Sequence, residues 1–198
     1  MESCIRELTY YVATSLDGCI ADSRGGFDAF PVTGDHIEMI IRDHRDTLPA
    51  PALDALGLTA DASGFSTVLM GWNTWAVGRD QGLVDPYPHL EQVVVTRDHA
   101  GDADLPDSIR VVPSDPVAEV RRLKGEPGAG IWLCGGGRLA ASLVGEIDRL
   151  VLKVNPVVLG RGRPLFDMAE GAGSFELEVS TPYESGVVVN EYRAVAPR

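Results

Sequence analysis

Short apolar segments rich in β-branched and aromatic residues alternate with amphipathic segments along most of the chain. The apolar segments predict strands at residues 8–14, 66–70, 93–96, 109–112, 131–134, 150–159, 175–179 and 186–192. Helices are expected from Asp35, with Glu38 at capping-box spacing, over residues 52–58, from Asp115 and after the glycines 135–137. Strands that alternate with helices predict a mostly parallel sheet covered on both faces, and the last two strands predict an antiparallel edge.

Composition favours one globular α/β domain over residues 1–198 and an ordinary apolar core. Hydrophobic residues make up 44% of the chain and charged residues 23%, which is typical of folded domains. The formal net charge of -12 disfavours nucleic acid and anionic membranes as partners, because both carry negative charge. We expect a cytoplasmic protein, since no apolar run with a basic lead opens the chain.

The cysteines and histidines predict no metal centre. The three cysteines form no CxxC pair, so we expect neither a disulfide framework nor a structural zinc site. The four histidines have no spacing typical of metal ligands, and we interpret them as surface or helix residues: His36, His44, His89 and His99.

The strongest local motif is a strand, three glycines and a helix over residues 131–144. Glycines at such a turn let backbone N–H groups approach a phosphate, and the helix N-terminus adds a partial positive charge. The spacing Gly135-x-Gly137-x-x-Ala140 fits the dinucleotide fingerprint. A standard Rossmann domain is excluded, because that fingerprint opens its first βαβ unit and several strands come before it here. A purely structural tight turn is the alternative.

Two weaker motifs also lie where predicted strands end. Gly71 is followed by Thr74, which can cap a helix or donate to a phosphate, and Thr96 with Arg97 suits a phosphate monoester. An ordinary helix cap and a surface arginine are the alternatives. Because the carboxyl ends of parallel strands share one edge, where open α/β sheets bind ligands, we expect these motifs to form one site with the glycines.

Several segments together resemble the dihydrofolate reductase superfamily. They are VATSLDGCIA at 12–21, MGWNTW at 70–75, VVTR at 94–97, CGGGRL at 134–139 and the segment 147–166. SLDG at 15–18 and PVVLGRGRPLF at 156–166 are similar to the branch of the C-terminal reductase domain of the bifunctional deaminase/reductase of riboflavin biosynthesis. The resemblance implies a dihydrofolate-reductase-like fold, NADPH as cofactor, a homodimer formed through the C-terminal strands, and a cis peptide in the glycine turn.

The resemblance also implies positions for the cofactor. Matching positions lie near the nicotinamide, at the phosphates, or at the adenosine ribose and its 2′-phosphate: Ala13, Ile20, Gly71, Thr74, Thr96, Arg97, Cys134, Gly135, Gly136, Gly137, Arg138 and Leu139. Trp72 stands where the family commonly has an arginine. A tryptophan can stack on adenine but cannot neutralise a phosphate, so Arg97 is the candidate that selects NADPH over NADH.

The implied reaction is hydride transfer completed by a proton. Asp17 and Asp28 are the catalytic candidates, and either is equally a ribose ligand or a turn former. Lys153 is a candidate for holding a polar or anionic substrate, with a solvated lysine as the alternative. The first helix offers Asp35, Glu38 and Asp43, but its sequence does not match the acid-bearing helix of true dihydrofolate reductases.

The sequence therefore predicts an NADPH-dependent reductase of a small heterocyclic or sugar-linked substrate. The branch resemblance makes 5-amino-6-(5-phosphoribosylamino)uracil a candidate substrate. The alternatives are a non-catalytic NADP(H)-binding module, a dihydrofolate reductase, and an acidic α/β scaffold whose glycines serve only the fold.

Overall fold

The computed structural model describes residues 5–99, 105–168 and 171–195. Within these ranges the strands are β1 (Leu8–Thr14), β2 (Cys19–Ala21), β3 (Phe65–Gly71), β4 (Glu91–Val95), β5 (Ile109–Val112), β6 (Gly130–Gly135), β7 (Arg149–Val154), β8 (Arg163–Pro164), β9 (Phe175–Pro182) and β10 (Val188–Ala194). The helices are α1 (Asp35–Asp43), α2 (Ala50–Leu56), α3 (Trp72–Arg79), α4 (Pro116–Lys124) and α5 (Gly137–Ser142), with a 3₁₀ turn at Arg45–Thr47.

Eight of the strands form one sheet in the order β5-β4-β3-β6-β1-β7-β10-β9. The first six strands of this order, from β5 at the edge to β7, run parallel to one another. Strand β10 runs antiparallel to both β7 and β9. The expected mixed, mostly parallel sheet with a C-terminal antiparallel hairpin is therefore confirmed. The short strands β2 and β8, which the apolar pattern did not predict, pair with each other outside this sheet.

Side-chain alternation on the strands separates the core into two layers. Leu8, Tyr10 and Leu133 pack on one face with residues of α4 and α5, and we call this the α4–α5 face. Tyr11 and Trp132 pack on the other face, with Met39 of α1, Trp75 of α3 and Val151 of β7, and we call this the α1 face. Each fully buried large apolar side chain contributes roughly 1.5–3 kcal/mol, so both layers hold the sheet in place.

Strand β7 is shorter than predicted, because its expected C-terminal half over residues 155–159 leaves the sheet. The backbone N–H of Asn155 donates to the carbonyl of Thr14 at 2.7 Å, and its side-chain amide donates to the same oxygen at 3.2 Å. These bonds turn the chain across the end of β1, and Pro156 follows without a donor for a strand ladder. The segment 156–167 then crosses the edge of the sheet.

Both predicted helix starts are confirmed, at Asp35 and directly after Asp115, but the two predicted caps have different outcomes. Asp115 caps α4, since its carboxylate accepts from the N–H of Ala118 at 2.9 Å. The capping box at Asp35 and Glu38 is wrong: Gly34 is the N-cap and no side chain caps α1. The carboxylate of Asp35 instead accepts from the N–H groups of Glu184 at 2.7 Å and Ser185 at 3.1 Å. Asp35 thus bonds to the turn before β10 instead of forming a capping box at the start of α1.

Candidate functional site

The glycine turn lies at the carboxyl end of β6 and has a backbone that only glycine adopts freely. Gly135 has φ 155° and Gly136 has φ 97°, values that side chains with a Cβ disfavour. The expected cis peptide is wrong, because every peptide bond of the described residues is trans. Gly136 is the N-cap of α5 without a side-chain cap, so the first N–H groups of that helix face the edge of the sheet.

Strand β3 brings its own glycine end beside this turn. Gly71 is the N-cap of α3, and a Cβ on Gly71 would lie 3.9 Å from the carbonyl oxygen of Gly135. A Cβ on Gly136 would lie 3.5 Å from the Oγ1 of Thr74. The hydroxyl of Thr74 therefore borders the glycine turn, and two of the three motifs share one edge.

Trp72 does not present two open faces at this edge. Its ring stacks on the imidazole of His99 with centroids 4.0 Å apart and an angle of 8°. The guanidinium carbon of Arg79 lies 5.2 Å from the centroid of the Trp72 ring. Arg79 is seven residues from Trp72 and so shares its side of α3. It is a cation that the sequence reasoning missed and that this helical spacing could have found.

The third motif lies where β4 ends. Thr96 is buried, its N–H donates to Val112 at 3.0 Å, and its hydroxyl accepts from the N–H of His99 at 3.3 Å. This holds the turn that carries Arg97. Arg97 is exposed and forms no ion pair with any described residue, so its guanidinium is available to an anion.

The carboxylate of Asp17 joins the turn after β1 to the segment 156–167. It accepts from the hydroxyl of Ser15 at 2.5 Å and from the N–H groups of Leu159 at 3.1 Å and Gly160 at 2.7 Å. The Ser15 bond and then the backbone bonds lower the pKa of Asp17 to about 2. Because this carboxylate is ionised at neutral pH, the geometry favours a positioning role for Asp17 over proton donation.

The two branch motifs meet across the site. Leu16 donates to the carbonyl of Val157 at 2.8 Å, and Leu165 donates to the carbonyl of Gly18 at 2.9 Å. Further along, the N–H of Asp167 donates to the carbonyl of Gly137 at 3.0 Å. The segment 156–167 therefore ties the turn after β1 to the glycine turn after β6. Arg138 is exposed and pairs with Asp167 at 3.1 Å.

The remaining acids near the site are exposed or bonded to other groups. Asp28 is exposed in the loop before α1. In α1, Asp35 holds the turn at Glu184, Asp43 pairs with Arg42 at 2.7 Å, and Glu38 is exposed. None of the three α1 acids is buried, since the buried side chains of α1 are His36 and Met39.

Lys153 lies on the α1 face, next to the end of β1. It pairs with Ala13 in the register of β7 against β1, and its Nζ lies 3.4 Å from the centroid of the Tyr11 ring. Burial lowers the pKa of Lys153 to about 7. Lys153 is thus half-buried rather than a solvated surface lysine, and it forms no salt bridge with a carboxylate of the described residues. Ile20, in contrast, packs against the core of the α4–α5 face.

Cys134 and His44 are the other titratable neighbours of Lys153. Burial raises the pKa of the Cys134 thiol to about 12. Burial, and then the charge of Lys153, lower the pKa of His44 to about 4. His36 is buried as well, with its Nδ1 3.0 Å from the hydroxyl of Ser185. The interpretation of the histidines as surface or helix residues holds for His36, which lies in α1, and is wrong for His44, because the residue after α1 packs on the sheet.

A cavity of about 430 Å³ lies at the opposite edge of the sheet, where the parallel strands begin. Its walls include Arg6, Thr9, His44 and Arg149. It shares no residue with the glycine turn, so volume alone does not identify the site. Within the described ranges, no group of three or more His, Cys, Asp or Glu side chains could hold a metal ion, and no helix is long and apolar enough to cross a membrane.

The sheet and its site at the carboxyl edge define the class of dihydrofolate-reductase-like α/β proteins. A family model described as the RibD C-terminal domain matches residues 6–189. The chain therefore belongs to the RibD C-terminal domain family. It is 26% identical over 194 residues to the uncharacterized protein YwjB of Bacillus subtilis, covering 96% of this chain and 99% of that relative.

Solved structures share the fold at low identity. A putative riboflavin biosynthesis protein from Shewanella sp. PV-4 matches with a TM-score of 0.73 at 21% identity, over 96% of this chain and 99% of that one. A deaminase/5-amino-6-(5-phosphoribosylamino)uracil reductase from Thermotoga maritima matches with a TM-score of 0.65 at 17% identity, over 96% of this chain and 57% of that one. A dihydrofolate reductase from Enterococcus faecalis complexed with NADP(H) matches with a TM-score of 0.63 at 15% identity, over 95% of this chain and 96% of that one.

Proposed function

We propose that this chain is an NADPH-dependent reductase of a small heterocyclic substrate. The observation that carries the proposal is the glycine turn at Gly135 and Gly136, which faces the Thr74 hydroxyl at an edge shared by six parallel strands. Membership of the RibD C-terminal domain family supports a reductase-like role. The Enterococcus relative in fold, which is complexed with NADP(H), supports the choice of dinucleotide.

The residues present fit a dinucleotide at this edge. A pyrophosphate fits beside the glycine turn, because side chains are absent there and the N–H groups at the start of α5 point outward. Arg97 offers an unpaired guanidinium for a 2′-phosphate. The nicotinamide end then reaches Ala13, where β1 ends. When bound, NADPH supplies the hydride, and the chain binds, orients and shields it.

The substrate side is the α1 face. Tyr11, Trp132 and Met39 form its buried apolar layer, and Lys153 is a half-buried polar group at the margin of that layer. A polar group beside aromatic rings suits a planar heterocycle with one polar reacting atom. In the riboflavin version, 5-amino-6-(5-phosphoribosylamino)uracil would be reduced to its ribityl form. Dihydrofolate is disfavoured, because the acids of α1 are engaged or exposed elsewhere.

The first test is a titration of tryptophan fluorescence with NADPH and with NADH. We expect saturable quenching by NADPH, since Trp72 lies at the adenosine end of the site. Arg97→Ala should weaken NADPH binding by about 10-fold or more and leave NADH binding unchanged, because a charge-assisted bond is worth roughly 1.5–3 kcal/mol. Arg45→Ala, an exposed arginine of the 3₁₀ turn, is the control. A folded protein that neither dinucleotide quenches would contradict the proposal.

Turnover separates a reductase from a non-catalytic binding module. Oxidation of NADPH, followed at its nicotinamide absorbance, should depend on 5-amino-6-(5-phosphoribosylamino)uracil or a related pyrimidine. Saturable NADPH binding without oxidation across pyrimidine, pterin and aldehyde substrates would favour the binding module.

We further propose a homodimer formed through the C-terminal hairpin. The outer edge of β9 faces no strand of the described residues, and it carries Leu177 and Val179 with 51% and 45% of their surfaces exposed. Apolar residues on an open edge strand favour pairing with another chain. Light scattering after size exclusion should give twice the chain mass, and Val179→Lys should shift it toward the monomer. A monomeric wild-type protein would contradict this.

A further inference from the structure

Lys153 differs from the other lysine of the chain in having no anionic partner. The chain has two lysines, and the Nζ of Lys124 pairs with Asp148 at 2.6 Å and donates to the carbonyl of Glu146 at 2.7 Å. Lys153 forms no ion pair with any carboxylate in residues 5–99, 105–168 and 171–195, and its ammonium lies over the Tyr11 ring. Lys153 is half-buried, and an ammonium that is partly removed from water without a counter-ion among these residues is costly, which indicates that it serves the site.

Every element packed around Lys153 presents a neutral group to it. Tyr11 comes from β1, Cys134 from β6, His44 follows α1, and Val189 pairs with Lys153 from β10. The thiol of Cys134 stays protonated because burial raises its pKa to about 12, and His44 stays neutral because its pKa is lowered to about 4. Burial is therefore the largest influence on Lys153 and lowers its pKa to about 7, with Cys134 opposing it in part. The Tyr11 ring partly stabilises the ammonium form.

The position of Lys153 matches the place where a reduced substrate needs a proton. Its register partner Ala13 lies at the nicotinamide end of the site, and both residues lie on the α1 face. A group whose pKa lies near neutral pH can both give a proton and recover it from water. Asp17, with a pKa of about 2, is ionised and engaged by Leu159 and Gly160, so it has no proton to give.

We propose that Lys153 is the proton donor of the reduction and that the reacting group of the substrate is a C=N or C=O bond attached to a planar heterocycle. The hydride forms the new C–H bond and the cofactor is oxidised. One Nζ–H bond breaks, its electron pair stays on Nζ, and the proton bonds to the nitrogen or oxygen that receives the π electrons. The neutral amine then regains a proton from water. This inference rests on the proposed function.

The presence of only two lysines allows a test that needs no substrate. Trace acetylation with acetic anhydride across pH 5–11, read by mass spectrometry, should show Lys153 titrating at about pH 7, with Lys124 as internal reference. NADP⁺ should slow acetylation of Lys153, and adenosine 2′,5′-bisphosphate, which lacks the nicotinamide half, should not. A Lys153 that titrates near the ordinary value of about 10.4, or equal protection by both nucleotides, would overturn the inference.

Two variants distinguish a role of Lys153 as proton donor from a role as a fixed positive charge. Lys153→Met should bind NADP⁺ within about 3-fold of wild type but lose 10²–10⁴-fold in the rate of hydride transfer, the usual range for a lost general acid. It should also lack the fall in rate above about pH 7 that we expect of the wild-type protein. Lys153→Arg keeps the charge but cannot release a proton, so it should stay slow. Full activity of Lys153→Arg would reduce Lys153 to a positioning charge.

The outcomes distinguish this inference from the proposed function. The inference would be contradicted, and the proposed reductase function retained, if the protein binds NADP⁺ normally while Lys153 has an ordinary pKa and NADP⁺ does not slow its acetylation. A folded wild-type protein that binds no dinucleotide would overturn both.

Discussion

The backbone of Gly137 packs directly against the carbonyl oxygen of Pro164, which leaves no room for a side chain. A Cβ at Gly137 would overlap that oxygen and would also lie 3.4 Å from the Cβ of Asp167. The first residue of α5 is thus in contact with the segment 156–167, which also binds the turn after β1. Two motifs far apart in the chain are therefore fitted to each other at the site.

Gly137→Ala should weaken dinucleotide binding because the new methyl group must push α5 away from Pro164. We expect at least a 10-fold rise in the dissociation constant for NADPH and a loss of roughly 1–3 kcal/mol in stability, the usual cost of overpacking. Fluorescence titration and urea unfolding measure the two effects. Gly145→Ala is the matched control, since a Cβ there meets nothing within 4 Å. Equal behaviour of the two variants would contradict the fit.

Asp17→Asn should loosen the loop over the site, because an amide is a weaker acceptor for the N–H groups of Leu159 and Gly160. Hydrogen exchange of these two amides should accelerate several-fold, while amides of β1 stay protected. Asp28→Asn is the control, since the Asp28 carboxylate is exposed. If exchange at Leu159 and Gly160 stays slow in Asp17→Asn, the Asp17 carboxylate does not hold these two amides in place.

His44 should make the protein sensitive to mild acid. Its folded-state pKa of about 4 lies below the unfolded value of about 6.5, so the unfolded state takes up the proton first. Stability is full above pH 6.5 and falls as the pH drops toward 4, by at most about 2 kcal/mol at pH 5.

The variant His44→Phe tests this sign, because phenylalanine keeps the ring contacts with Tyr11 and Phe65 but binds no proton. Urea unfolding at pH 7 and pH 5 should show a smaller loss for His44→Phe than for wild type. An identical loss in both proteins would place the acid sensitivity in other groups.

Trp72→Arg should sharpen the preference for NADPH over NADH. The new guanidinium would stand near the 2′-phosphate side, whereas Trp72 offers only a ring that already stacks on His99. We expect the ratio of the two dissociation constants to rise by about 10-fold. Trp72→Leu, which removes the ring without adding charge, is the comparison. No change in the ratio would indicate that Arg97 and Arg79 already satisfy the phosphate.

Local patterns predicted much of the fold. The bounds of β1 and β5 match the apolar segments at 8–14 and 109–112, because both are short segments rich in β-branched or aromatic residues. The cap at Asp115 also followed from its own neighbours. The shared edge of the glycine turn, Gly71 and Thr96 followed from one rule about parallel strands. The single domain over residues 1–198 stays a prediction.

Long-range contacts decided the rest. Asp35 bonds to Glu184 and Ser185 rather than capping its helix, and Asn155 ends β7 because it meets Thr14. These partners are more than 100 residues away along the chain. A local sequence pattern therefore cannot show that such a long-range bond replaces the expected local one.

By itself, the sequence determined most of the strands and helices, their alternation and the glycine turn, since each depends on interactions within a few residues. The alternation in turn indicated the class of fold. Only the tertiary structure decided the chemistry of Lys153. Its two neighbours along the chain are ordinary strand residues, and the Tyr11 ring, Cys134 and His44 reach it from other elements. The pKa of an amine depends on what surrounds it in space, and that surrounding exists only once the sheet has formed.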